Sequence, residues 1–245
     1  MNERKFPEMT SASLHILAML FMLCDHLWAT SLVSGDWLTC VGRIAFPIFA
    51  FLIVEGYSHT KNLPKYALRL FLFALIAEIP FDLMVSGSVF YPFHQNVLWT
   101  FLLSLGLLRL NGLVKERNAV VRVLVAVGTV ILGYLLGTVT MVDYYYAGPL
   151  TVLAFYFFRG RRWWCYAGQL LSLAYINLEL LGGLEYALVL FGETVFLPQQ
   201  GLALLALIPI WLYRGRQGHH SKPFRLFCYA FYPLHLLLLG LLCRS

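Results

Sequence analysis

The sequence predicts an all-α fold: a polytopic transmembrane helical bundle of about nine spans, N-terminus cytoplasmic, in a single domain covering residues 1–245. Three observations carry that prediction. The chain is 60% hydrophobic and only 12% charged, about half the charged share of a soluble domain. Its apolar segments recur along the whole length, several of them shorter than the roughly 20 residues of a full span, which implies a thin or irregular bundle. Its 18 Lys and Arg residues fall between alternate segments, as the positive-inside rule requires of cytoplasmic loops.

Read in order, the spans cover about residues 13–33, 42–57, 66–85, 97–110, 119–136, 147–158, 163–180, 200–213 and 226–242. The polar start, MNERKFPEMTSAS, leads into the first span without a small-residue cleavage site, so that span reads as uncleaved. A cytoplasmic N-terminus places Arg4, Lys5, Lys61, Lys65, Arg69, Arg109, Lys115, Arg117, Arg122, Arg159, Arg161, Arg162, Arg214, Arg216, Lys222 and Arg225 inside. Only Arg43 and Arg244 fall outside, where Asp36, Asp82, Asp143, Glu185 and Glu193 gather. The net charge of +6 thus orients the chain in a membrane, and no nucleic-acid partner is expected. The stretch 183–196 is apolar enough for a further helix, but a crossing there moves the basic loop around Arg214 outside. It is expected to be interfacial or re-entrant, with a full crossing as the alternative if 171–190 divides differently.

The five cysteines have no metal-ligand spacing and read as small buried residues, with a Cys24–Cys40 disulfide only weakly indicated. No metal site is expected, and HExxH, GxSxG and phosphate-loop motifs are absent from the sequence.

The chemistry lies in polar groups within or at the ends of apolar helices, which lipid does not tolerate facing it. Span one places His15, Met19, Met22 and His26 on one face, and His26 is a candidate general base. Asp25 points about 100° away from His26, so it does not simply orient that imidazole. Arg43 is suited to holding a carboxylate or steadying an oxyanion, or to an ion pair with Asp25, Glu78 or Asp82. Glu55 and His59 share a face, as do Glu78 and Asp82. With Lys61, Lys65 and Arg69, the Glu55–His59 pair forms an inner cluster suited to an anionic cytosolic cofactor, although an ordinary basic loop accounts for the lysines. At the outer end, Pro80 is expected to break the helical ladder, and Pro92 favours an extended approach to span four. Asn96 suits an N-cap, and Asp82, His94, Asn96 and Asp143 form a candidate acceptor-side loop. In span nine Tyr232 and His235 lie three apart, with His235 either tying the bundle together or lining a tunnel.

These stretches resemble the TraX family of integral membrane proteins, named for a conjugation protein that acetylates the N-terminus of pilin. The residues carrying the resemblance are CDH at 24–26, GRIAFPIFAFLIVEGYSHT at 42–60, KYALRLFLFALIAEIPFDL at 65–83 and HQNVLWT at 94–100. The pair Asp143–Tyr144, LYRGRQG at 212–218 and FYPLHLLLL at 231–239 complete it. Tyr145 stands where the family pattern has glycine, and Arg214 where it has asparagine. The family is similar to broader transmembrane acyltransferases, in which a histidine of an early span serves transfer from cytosolic acyl-coenzyme A. The resemblance makes His26 the natural counterpart of that histidine, with Arg43, Glu55, His59, Glu78 and His235 as second-rank positions of the candidate catalytic set, to which Asp25 beside the base is added. Read from the residues, the candidate donor contacts are His15, His59, Lys61, Lys65 and Arg69, and the candidate acceptor contacts are Asp82, His94, Asn96, Asp143 and Tyr232. The expected activity is transfer of acetyl from acetyl-CoA to an amine or hydroxyl, on a pilin-like N-terminus or envelope glycan, at the bacterial inner membrane. Intramembrane acids and histidines also suit a proton-coupled transporter, and a structural role in a surface-assembly complex is a third reading.

Overall fold

The computed structural model describes residues 8–190, 192–219 and 221–243, apart from the side chains of 188–190 and 195. Arg4, Lys5 and Arg244, used above to assign sides, lie outside the described residues. The helices are α1 (Ser11–Ala29), α2 (Trp37–Gly42), α3 (Ala45–His59), α4 (Leu63–Ser86), α5 (Val97–Leu113), α6 (Ala119–Val139) and α7 (Ala147–Phe157). They continue as α8 (Trp163–Ala174), a π-helical turn (Tyr175–Leu180), a 3-10 segment (Gln199–Ala206), α9 (Leu207–Leu212) and α10 (Lys222–Leu242).

Local chemistry sets these boundaries. Thr10 and Ser13 cap α1 reciprocally. The side chains of Asn62, Asn96, Asn118 and Ser221 accept from the first turns of α4, α5, α6 and α10. Asn96 is thus the predicted N-cap. Pro80, which has no N–H to give the ladder, lies buried inside α4, and the helix continues past it from Leu63 to Ser86. Packing against neighbouring helices compensates for the lost ladder bond there.

Four helical stretches are long and apolar enough to cross a membrane: Ser11–Ala29, Trp37–His59, Ala119–Val139 and Lys222–Leu242. Val97–Leu113, Ala147–Phe157 and Gln199–Leu212 are shorter apolar helices, while α4 carries Lys65, Arg69, Glu78 and Asp82. Large apolar side chains line the exposed face of α6, as lipid contact requires. Its buried stripe is Thr129, Gly133 and Gly137, and Asn111 of α5 donates to Thr129 Oγ1 at 2.9 Å. Small residues and an interhelical hydrogen bond are how helices associate where burial from water contributes little.

The main departure from the all-α prediction is the stretch 183–196. It belongs to an antiparallel hairpin, β1 (Glu185–Leu190) and β2 (Glu193–Pro198), paired from Glu185↔Pro198 to Leu190↔Glu193. Gly192, at φ +88°, supplies the left-handed backbone of the turn. The run is apolar, but its aromatic and β-branched residues beside a turn glycine favour strands at this length.

Contacts between loops define two ends. At the basic end, Met9 bridges Tyr213, Arg159 meets Glu55 and Arg161 meets the Tyr213 carbonyl. At the acidic end, Gln95 bridges Val142, Arg43 meets Gln200 and Tyr146 donates to the Leu180 carbonyl. A core of buried apolar residues, including Leu14, Ile48, Val54, Leu108, Leu153, Phe155 and Leu207, separates them.

Candidate functional site

The acidic end collects most of the residues singled out in the sequence. His26 and His235, 209 residues apart in the chain, meet with His26 Nδ1 2.8 Å from His235 Nε2 and their ring planes 7° from parallel. His235 Nδ1 lies 2.7 Å from the Phe231 carbonyl, which only accepts, so it carries a proton. In neutral His235, Nε2 is therefore the acceptor and His26 Nδ1 the donor. That fixes the tautomer of His26 with an unprotonated Nε2, which has no hydrogen-bond partner among the described residues.

The neighbouring Asp25 turns to a different partner. Its Oδ1 accepts from Arg43 Nη2 at 2.7 Å. Arg43 also donates to Thr39 Oγ1 at 2.7 Å, to the Thr39 carbonyl at 3.4 Å and to Gln200 Oε1 at 3.4 Å. These contacts engage most of a guanidinium's five N–H groups, so Arg43 is held in place and has little capacity left for a substrate. Gln200 passes the chain on to Asn177 Oδ1 at 2.9 Å. Gly42 makes the approach between helices feasible, since a Cβ there comes to 2.4 Å from Asp25 Cβ. Cys24 and Cys40 are free thiols, and Cys40 Sγ lies 3.3 Å from Tyr186 Oη of the hairpin.

The expected acceptor side lies at the same end. Glu78 Oε2 accepts from Trp99 Nε1 at 2.8 Å and from Asn96 Nδ2. Asp82 Oδ2 accepts from the Tyr91 N–H at 2.8 Å. Glu78 Oε1 and Asp82 Oδ1 are buried without a hydrogen-bond donor among the described residues. His94 Nε2 stands 3.3 Å from Asp143 Oδ1. That hydrogen bond raises the His94 pKa against the effect of burial, with the charges of Asp143, Glu78 and Asp82 adding to it. Tyr232 is buried on α10, packed with Met22, Ala77 and Phe81.

Tyr144 joins the two groups. Its ring stacks on Phe46 at 3.9 Å. Burial raises its phenol pKa, Arg43 opposes the rise, and the Asp143 and Asp25 carboxylates reinforce it. The sequence reading placed Tyr144 in a family motif without giving it a role. Trp99 likewise stood in the 94–100 motif without a role, and Thr39 and Gln200 were missed altogether. The available signals were QQ at 199–200 heading an apolar segment and an indole three residues after an N-cap.

Glu55 and His59 are not brought to His26. Glu55 Oε1 accepts from Arg159 Nε at 2.8 Å at the basic end, together with Met9 and Tyr213, whereas His26 lies near the other end of α1. Fifteen helical residues from Ser11 to His26 correspond to about 22 Å. His15 is also near the basic end, with Nδ1 2.8 Å from the Ser11 carbonyl. Lys61, Lys65 and Arg69 are exposed on the surface, where Arg69 lies over the Tyr66 ring. The pocket at this end, of about 220 Å³, is lined by Glu55, His59, Arg159, Arg161, Trp211 and Tyr213 among others. No group of three or more His, Cys, Asp or Glu residues among those described is arranged to hold a metal.

The sequence pattern of the family described as "TraX protein" matches residues 10–243, an interval that contains His26, Arg43, Asp143, His235 and the Glu55–Arg159 pair. The chain belongs to the TraX family. Over 109 residues it is 34% identical to "Probable fimbrial assembly protein FimC, serogroup H1" of Dichelobacter nodosus, covering 40% of this chain and 45% of that protein. The chain thus matches less than half the length of this relative. No solved structure matches. Family membership and the apolar helices together make this a membrane protein.

Proposed function

We propose that this TraX-family chain is a membrane acyltransferase, moving an acetyl group from cytosolic acetyl-CoA to an amine or hydroxyl at the outer side of the bacterial inner membrane. The observation that carries the reading is the hydrogen-bonded run from the Phe231 carbonyl through His235 to His26. It presents His26 Nε2 as a base whose tautomer is set by its partner. In the reaction, the acceptor N–H or O–H gives its proton to Nε2 as its heteroatom bonds to the thioester carbonyl carbon. The tetrahedral intermediate then expels the CoA thiolate, which recovers a proton. His235 positions the base and accepts from the imidazolium, a part a carboxylate plays in other triads. Arg43, already held by Asp25, Thr39 and Gln200, acts on a developing oxyanion through its charge rather than through a direct hydrogen bond.

The same reading takes about nine spans with the N-terminus inside, so that the basic end meets the cytosolic donor and the acidic end the acceptor. The acceptor in this proposal is a pilin-like N-terminus or an envelope glycan. The test is acetyl-CoA turnover by purified protein with a pilin-like N-terminal peptide, comparing wild type with His26→Ala. Loss of turnover in the variant is expected. Equal turnover in both removes His26 as the base.

The fimbrial-assembly relative favours a second reading, a structural partner in pilus assembly. That reading predicts stable co-purification with assembly proteins and piliation unaffected by His26→Ala.

A further inference from the structure

We propose that the pocket at the basic end holds the phosphate-bearing nucleotide part of the acyl donor, with Arg159 and Arg161 as its phosphate contacts. This rests on the acyltransferase reading and moves the donor site away from the exposed residues Lys61, Lys65 and Arg69.

Charge and shape support it. The pocket lining includes Arg159 and Arg161, and Arg162, Arg214 and Arg216 flank it in the same two loops. The acids nearby are already engaged. Glu55 accepts from Arg159. Glu8 pairs with Arg216 at 3.1 Å. Arg159 meets Glu55 through Nε, and Arg161 gives one Nη2 bond to the Tyr213 carbonyl at 3.4 Å. Each guanidinium has five N–H donors, so both retain capacity for phosphate, which a planar guanidinium binds through paired bonds.

One wall is aromatic and fixed. Trp211 Nε1 donates to Gln169 Oε1 at 2.8 Å, Gln169 Nε2 donates to the Phe158 carbonyl at 2.9 Å, and Tyr166 packs edge-on against Trp211. A flat base can lie against such a surface. At about 220 Å³ the pocket is smaller than the roughly 300–1,000 Å³ of sites that enclose a whole drug-sized ligand. It suits the anionic head of a donor whose flexible arm extends beyond it.

The test is calorimetric binding of CoA to the full chain in nanodiscs, with inorganic phosphate as competitor. Arg161→Gln is expected to weaken CoA about tenfold or more, Arg161→Lys to recover part of that loss, and phosphate to compete. Thermal unfolding of each variant shows that it is folded. The Lys65→Gln/Arg69→Gln double variant and His26→Gln are expected to bind as wild type does. CoA binding that ignores Arg161 and phosphate but weakens in the Lys65/Arg69 variant overturns the pocket and leaves the acyltransferase reading standing. Absence of CoA binding to folded wild type overturns both.

Discussion

Asp25 and His26 are consecutive on α1 yet serve separate partners: Asp25 holds Arg43 at 2.7 Å, while His26 meets His235 at 2.8 Å. The 100° turn between successive helical residues aims one side chain at α2 and the other at α10. An acid beside the candidate base is thereby kept from orienting it, and His235 does so. Replacing His235 with Phe leaves His26 Nδ1–H unpaired and the ring free to turn. Transfer is expected to fall by about 10²–10⁴-fold, the usual contribution of a positioned base. His235→Gln keeps an acceptor near the place of Nε2 and is expected to recover part of that loss. Rates and pH profiles of the two variants check this, and a Phe variant with wild-type rate and profile refutes the relay.

Gly42→Ala tests the neighbouring pair without touching a charged group. The added Cβ comes within 2.6 Å of Asp25 Oδ1, so α1 and α2 must separate and the Asp25–Arg43 bond lengthen. Overpacking of this kind costs about 1–3 kcal/mol. A lower unfolding temperature and slower transfer are expected, with CoA affinity unchanged because the basic end is remote. A variant as stable as wild type shows that the helices have slack at this contact.

Much of the bundle was legible in the sequence because apolar run length and Asn, Ser and Thr caps are local signals. The starts of α5, α6, α7 and α8 fall on the residues where the apolar runs begin. The hairpin at 185–198 was not legible from periodicity, since a short apolar run carries no period that separates helix from strand, and only the β-branched and aromatic residues around Gly192 pointed to strands. Of the site, Asp25, Arg43, His26 and His235 stood out because charge and imidazole inside apolar helices need partners. Spacing on single helices cannot say which partner each finds. Grouping Glu55 with His26 joined residues of matching chemistry that the bundle holds at opposite ends.

His94 gives the acidic end a dependence on pH. Its pKa is raised chiefly by the hydrogen bond to Asp143, so the folded state binds the proton more tightly than the unfolded chain, whose His titrates near 6.5. The stabilisation is complete below that value and is lost as pH rises through the folded pKa. Thermal unfolding in nanodiscs between about pH 5 and pH 9 is expected to show stability declining upward through this window. His94→Gln is expected to flatten that part of the curve, and an unchanged curve in the variant assigns the dependence to another group.

Tyr145 has a backbone at which glycine is at ease: φ is +43°, in the left-handed region that costs an L side chain about 1–2 kcal/mol. The preceding Tyr144 is also left-handed, at φ +61°, so two strained residues in succession carry the chain from Asp143 into α7. What Tyr145 gains is contact, because its ring lies 5.9 Å from that of His94 and 8° from parallel. An aromatic pair contributes about 0.5–1.5 kcal/mol, comparable with the strain. Tyr145→Gly therefore exchanges one for the other, and the expected change in stability is within about 1 kcal/mol. The visible effect should fall on His94. Without the ring beside it, His94 is better hydrated, so the desolvation that lowers its pKa is relieved while the bond to Asp143 persists. A titration of His94 by NMR is expected to show its pKa higher in Tyr145→Gly than in wild type. A pKa that falls instead shows that Tyr145 holds His94 against Asp143, making the ring a positioning element for the acidic end.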